Sequence, residues 1–173
     1  LYLDIQPTNN FLIYKNLFEF YLSLFIMSTN LLSTPLYILL AEDDIDDRFF
    51  FEKALREIPI ETHLTSIQDG EQLMDYLEIN SENLPDILFL DLSMPRKTGF
   101  ECLSEIKEND KLKALSVCVF STSFARDMDY EQNIIKTLSK MGAEEYIRKS
   151  TDFGQLKFVI QHFLKKVIDK KNQ

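Results

Sequence analysis

The chain has 173 residues, 45% of them hydrophobic, and a formal charge of −9. That length and apolar content suit one globular domain with a sizeable core. The acidic balance argues against sequence-independent binding to nucleic acid or to an anionic membrane surface, both of which need a basic footprint.

Residues 1–35 read as an N-terminal extension of different character. Pro7, Asn9 and Asn10 precede an aromatic-rich stretch from Phe11 to Met27 that carries Lys15 and Glu19. A membrane span needs about 20 mainly apolar residues, and a secretory signal needs a basic start, so neither description fits. Met27-Ser-Thr-Asn makes a natural polar start. Residues 1–26 are therefore expected to be dispensable, as an over-extended reading frame would be; a partner-binding or interfacial helix is the alternative.

From Leu36 onward two periodicities alternate, as strands interleaved with helices do in a parallel sheet. The first predicted strand, Leu36–Ala41, runs directly into Glu42-Asp43-Asp44. A helix starting at Ile45 follows, with Asp44 as its N-cap or as a first-turn charge that helps to start it. It buries Phe51, Ala54, Leu55 and Ile58 and leaves Asp46 and Asp47 on a solvated face. The second strand is His63–Ile67. The third, Ile87–Leu90, ends abruptly on Asp91-Leu92-Ser93-Met94-Pro95, and Pro95 to Gly99 has the composition of a turn. The fourth strand, Leu115–Phe120, delivers Ser121 and Thr122; the fifth, Glu145–Ile147, delivers Lys149. A last helix buries Leu156, Val159, Ile160, Phe163 and Val167. The domain spans 36–168, and 169–173 form a short C-terminal tail.

Five such units predict an α/β protein with a doubly wound five-stranded parallel sheet and helices on both faces. Ligands of such sheets collect beyond the carboxyl ends of the strands, where the acidic strand ends fall. Hard oxygen ligands with few neighbouring nitrogens or thiols suit a magnesium ion. A carboxylate beside a metal can attack phosphorus to form an acyl phosphate, while the cation and a lysine neutralise the phosphoryl oxygens and a hydroxyl binds one more. The strand ends supply each part of such a site.

Competing motifs fail. Asp44-x-Asp46 lacks the glycine and terminal glutamate of a calcium loop. Four glycines form neither a phosphate loop nor a GxGxxG. Cys102 and Cys118 lie in separate apolar segments and read as reduced core thiols, and His63 and His162 stand apart, without zinc-ligand spacing.

Ile38-Leu-Leu-Ala-Glu-Asp-Asp44, Leu90-Asp-Leu-Ser-Met-Pro-Arg-Lys-Thr-Gly-Phe-Glu101, Val119-Phe-Ser-Thr-Ser123 and Tyr146-Ile-Arg-Lys-Ser150 resemble the receiver domain of two-component response regulators. The resemblance covers about Leu36 to Lys166 and implies a flavodoxin-like (βα)5 fold with strand order 2-1-3-4-5. It implies that Asp91 is the phosphoacceptor, Asp43 the direct magnesium ligand and Glu42 its water-mediated companion. Ser93 would offer its backbone carbonyl to the metal, Ser121 would be the switch hydroxyl, Lys149 the phosphate-binding lysine and Tyr146 the aromatic switch. Three departures stand out. Serine replaces the commoner threonine at 121, Ser150 stands where proline and a cis peptide are usual, and the stretch from Ser121 to Lys149 is longer, with the excess within Ser123–Tyr130.

The implied function is that of a stand-alone receiver, cytoplasmic and not an enzyme on external substrates. A histidine kinase or phosphotransfer protein would phosphorylate it with Mg2+, and it would act by switching protein contacts, with a homodimer as one form. The loop after Asp91 also resembles regulators that work with kinases related to phytochromes. A phosphate-independent adaptor is the alternative. An aspartate-based phosphatase is a third reading, weakened by the missing second aspartate two positions after Asp91.

Overall fold

The computed structural model describes residues 35–122 and 128–172. The expected N-terminal extension up to Thr34, and residues 123–127 of the lengthened segment, lie outside the described residues. The elements in chain order are β1 (Leu36–Ala41), α1 (Ile45–Arg56), β2 (Thr62–Ile67), α2 (Gly70–Ile79), β3 (Ile87–Leu90), α3 (Gly99–Glu108), β4 (Ser116–Ser121), α4 (Met128–Lys140), β5 (Glu145–Arg148) and α5 (Phe153–Lys171). All four strand pairings are parallel, and the sheet order is β2-β1-β3-β4-β5, the flavodoxin-like order. The order reverses between β1 and β3, so the carboxyl ends of those two strands flank the crevice where ligands of such sheets bind.

Strand alternation divides the core into two layers. Leu36, Ile38 and Leu40 of β1, Ile87 and Phe89 of β3, and Cys118 and Phe120 of β4 face α1 and α5, where Phe51, Leu55, Ile160 and Phe163 are buried. Leu39, Ala41, Leu88, Leu90, Val117 and Val119 face the other way, onto Leu73 and Leu77 of α2, Cys102, Leu103 and Ile106 of α3 and Leu138 of α4. With both faces covered, β3 and all but the first residue of β4 are buried along their length, which is why they read as continuous apolar runs. On the α1/α5 side Phe89 makes edge-on contacts with Phe51, Phe120 and Phe163 at 4.8–6.3 Å between ring centres.

The predicted strands differ from the observed ones only at their ends. β5 runs on to Arg148, and β4 takes in Ser121, because Ser121 pairs with Arg148 and continues the ladder. Ile58 is buried as expected but follows α1, held by its N–H bond to the Leu55 carbonyl at 3.1 Å. On α5 Leu164 is buried, Val159 only partly, and the helix continues to Lys171, past the expected domain end at 168. Cys102 and Cys118 are buried free thiols, as the sequence implied. Among the described residues no peptide bond is cis, the Lys149–Ser150 bond included.

Two glycines set how close the site loop lies to its neighbours. A Cβ on Gly99 would collide with the backbone carbonyl of Asp91, and one on Gly70 with the carbonyl of Lys97. The β3–α3 loop is therefore wedged between α2 and the end of β3 with no room for a methyl group. Gly99→Ala is expected to lower unfolding stability by about 1–3 kcal/mol, the usual cost of overpacking, because the colliding atoms are backbone. Denaturant unfolding of the variant against the parent measures this.

Candidate functional site

β1 is followed directly by Glu42, which is 1% exposed, and by the exposed Asp43. The chain then turns into α1, and of the two roles expected for Asp44 it takes that of the cap: its Oδ1 accepts from the N–H groups of Asp46 and Asp47 at 2.8 and 3.0 Å. These bonds satisfy two of the amides a helix start leaves open. Arg48, on the next part of the turn, donates back to the carbonyls of Glu42 and Asp43 at 2.8 and 2.7 Å. The loop bearing the acid pair is thus fastened to α1 from both sides.

β3 delivers Asp91, 3% exposed, beside them. Its Oδ2 accepts the Ser93 N–H at 2.7 Å, while the Ser93 side chain is exposed. The loop beyond is pinned by an ion pair between Arg96 and the fully buried Asp69, the N-cap of α2. Arg96 has φ of 65°, an uncommon left-handed conformation for a side-chain-bearing residue, and this pair helps hold it there. Sequence reasoning missed this clamp, for nothing local links Asp69 to a loop 27 residues away.

Lys149 closes the site from β5. Its backbone N–H bonds to the Ser121 carbonyl at 2.9 Å, tying the ends of β4 and β5 together. Its ammonium lies 2.5 Å from Glu42 Oε2, 2.9 Å from Asp47 Oδ2 and 3.1 Å from Asp91 Oδ1. Glu42 and Asp91, predicted as neighbours from separate strands, are therefore held by one cation. The placement of Asp47 corrects the sequence expectation, which put it on the solvated helix face. Asp47 precedes Phe51 by four residues, so it lies on the same side of α1 as the buried stripe and reaches the rim, where its side chain stays 36% exposed. That spacing was the available signal.

Burial pushes the Glu42 carboxyl up to about 7, against the opposing pull of the Lys149 ammonium. Burial alone would lower Lys149; its contacts with Asp47 and Glu42 and the charge of Asp91 outweigh that and hold the ammonium above the ordinary lysine range. Among the described residues, Glu42, Asp43 and Asp91 place carboxylate oxygens within 4.8 Å of one another, a spacing that fits a divalent cation. The Glu42 Oε2 atom lies close to Lys149 without a directed hydrogen bond, leaving acceptor capacity for such an ion.

Ser121 is fully buried at the end of β4, and its Oγ has no hydrogen-bond partner among the described residues. A buried hydroxyl left unpaired costs about 1–3 kcal/mol, which a ligand oxygen or a changed rotamer would relieve. Tyr146 is half-buried against the Leu88–Val119 layer and donates its hydroxyl to Glu131 of α4 at 3.3 Å. Burial and the Glu131 charge raise its phenol above the usual value.

An order-reversing parallel sheet with an acid pair, a buried aspartate, a hydroxyl and a lysine at its carboxyl rim places the chain among the flavodoxin-like α/β domains. Residues 38–161 match the family model described as response regulator receiver domain, and the chain belongs to that family. Response regulator Rcp1 of Synechocystis sp. is 34% identical over 113 residues, covering 61% of this chain and 77% of that protein. Chemotaxis protein CheY of Halobacterium salinarum is 32% identical over 105 residues, covering 61% and 80%. The crystal structure of the Mn(2+)-bound form of Rcp1 superposes with a TM-score of 0.63 at 30% identity, covering 74% of this chain and 91% of that one. The phosphorylated cyanobacterial phytochrome response regulator RcpA gives a TM-score of 0.63 at 30% identity over 75% and 91%. Among the described residues no helix is long and apolar enough to cross a membrane.

The raised Glu42 value has a consequence for stability in chelator-treated protein. Between the ordinary 4.5 and about 7 the folded state holds a proton that the unfolded state has released. The stabilisation from protonated Glu42 is complete below 4.5 and lost as pH rises through about 7. Glu42→Gln, which cannot ionise, is expected to gain stability relative to the parent across that window. Denaturation midpoints as a function of pH check this; curves that stay parallel would refute it.

Proposed function

We propose that the protein is a phosphorylation-switched receiver in which Asp91 accepts a phosphoryl group from a phosphohistidine of a histidine kinase or phosphotransfer protein. The observation that carries this reading is the Lys149 ammonium, 3.1 Å from Asp91 Oδ1, on the same rim as the Ser121 hydroxyl, which has no partner among the described residues. An Asp91 carboxylate oxygen attacks phosphorus, the O–P bond forms as the P–N bond breaks, and the departing imidazole keeps the electron pair and takes up a proton. Lys149 neutralises a phosphoryl oxygen as charge develops there, and the Ser93 N–H steadies the second carboxylate oxygen.

Asp43, Asp91 and the Ser93 carbonyl would hold a Mg2+ ion directly and Glu42 through water, in keeping with the close oxygens of the acid cluster. When bound, the ion supplies the charge that shields the attacking carboxylate from the phosphoryl oxygens. The Mn(2+)-bound and phosphorylated relatives support both halves of this assignment.

Phosphorylation is read as a change of packing. Ser121 donates its hydroxyl to the phosphoryl group, and the space it leaves admits Tyr146, which gives up its bond to Glu131 on α4. Two packings of the α4–β5 surface then offer different faces to a downstream protein or to a second copy of the chain. A cytoplasmic site of action, a phytochrome-type kinase and dispensability of residues 1–26 belong to the same reading.

Incubation with acetyl phosphate and Mg2+, followed by intact mass, tests the central step. One alkali-labile phosphoryl addition is expected on the parent, and none on Asp91→Asn or after chelation of the metal. Normal partner binding by Asp91→Asn would instead support a phosphate-independent adaptor.

A further inference from the structure

Lys149 carries its charge on a long, flexible stem, so its position over Asp91 has to be imposed by what surrounds the ammonium. Three carboxylates do so, and an ammonium has three donors. In the proposed function two of the three are committed elsewhere: Asp91 takes the phosphoryl group and Glu42 serves the metal. Asp47 has neither task. Its Oδ2 accepts from Lys149 at 2.9 Å with good hydrogen-bond geometry, whereas the approach to Glu42 is not directed along a hydrogen bond.

Asp47 also stands on a firm base. Its backbone N–H is bound by the Asp44 cap at 3.0 Å, and the adjacent Arg48 holds the carbonyls of Glu42 and Asp43. The first turn of α1 is therefore fixed against the loop that bears the acid pair, and a carboxylate on that turn is fixed with it. From the other side, the Phe120 ring limits the lysine, with Nζ 5.6 Å from its centre.

We propose that Asp47 is a positioning residue for phosphoryl transfer: it holds the Lys149 ammonium so that the donor facing Asp91 Oδ1 passes to the incoming phosphoryl oxygen without the lysine having to be repositioned. This rests on Asp91 being the phosphoacceptor. The Asp47 carboxylate never touches the reacting atoms and acts through Lys149 alone. Its charge taken by itself would repel an anionic phosphodonor, so the positioning role and a bare charge effect predict opposite signs.

The test uses the full chain with Asp47→Ala, Asp47→Asn and Asp47→Glu, acetyl phosphate as donor and Mg2+. The saturating phosphorylation rate of Asp47→Ala is expected to fall about 10- to 100-fold, the scale of a misplaced catalytic group. The donor concentration at half-saturation and the calorimetric Mg2+ affinity are expected to stay unchanged. Asp47→Glu restores most of the rate, and Asp47→Asn, which keeps an acceptor without the charge, falls between. A rate that is unchanged or raised in Asp47→Ala overturns the proposal.

A second measurement is independent of phosphorylation. In nitrogen-15 lysine spectra the Lys149 ammonium protons of the parent are expected to exchange slowly, to be lost in Asp47→Ala and to return in Asp47→Glu. Slow exchange surviving in Asp47→Ala would refute the holding role. A parent that shows the ammonium signal yet takes up no phosphoryl group would count against the phosphoacceptor reading and leave the holding role standing.

Discussion

One buried cation organises the rim of this domain. The Lys149 ammonium, whose side chain is only 9% exposed, draws together carboxylates from β1, α1 and the end of β3. Glu42 and Asp91 alone would oppose folding, because a buried carboxylate without a partner is costly, and the partly exposed Asp47 adds to the repulsion between them. The cation offsets part of that cost, and the raised Glu42 value records what is left over. The chemistry follows from this imbalance: a site with an excess of buried negative charge favours a divalent cation and opposes an unescorted phosphate.

The scaffold supplies rigidity where this arrangement needs it. Parallel pairing places the ends of β1, β3, β4 and β5 along one edge, and the aromatic layer of Phe51, Phe89, Phe120 and Phe163 lies directly beneath. Gly99 lets the start of α3 rest on the Asp91 carbonyl, and the Asp69–Arg96 pair holds the intervening loop against α2. The softer part lies at Ser121 and Tyr146, where among the described residues a hydroxyl lacks a partner and a phenol makes one long bond to α4. A rigid acid rim and an adjustable β4–β5 corner are the two properties the proposed switch requires.

Much of this was legible in the sequence because burial on both faces writes strands as short apolar runs, and each such run here stops on a chemically distinct residue. Asp91 and Ser121 could be located from that punctuation, and the resemblance of the flanking motifs supplied Lys149 and the roles proposed for all three. What stayed hidden was tertiary. Asp47 sits in an acidic run that composition marks as solvated, although its register with Phe51 points inward. Arg96 and Asp69 meet only because two loops converge, and the extension of β4 to Ser121 depends on its pairing with Arg148. Local patterns carry no information about such meetings.

The helix α1 presents two different faces. Asp44, Asp47 and Arg48 are engaged with the acid loop and the lysine, while Ile45, Phe49 and Phe50 project outward, exposed by 71%, 60% and 47%. The inward set is locked into the chemistry and leaves little latitude for change. The outward set touches none of it, so its residues can be exchanged in succession without disturbing the reactive centre. A duplicated copy of such a domain could thereby change its outer face while inheriting the acid rim intact, because the two faces of one twelve-residue helix share no contact residue.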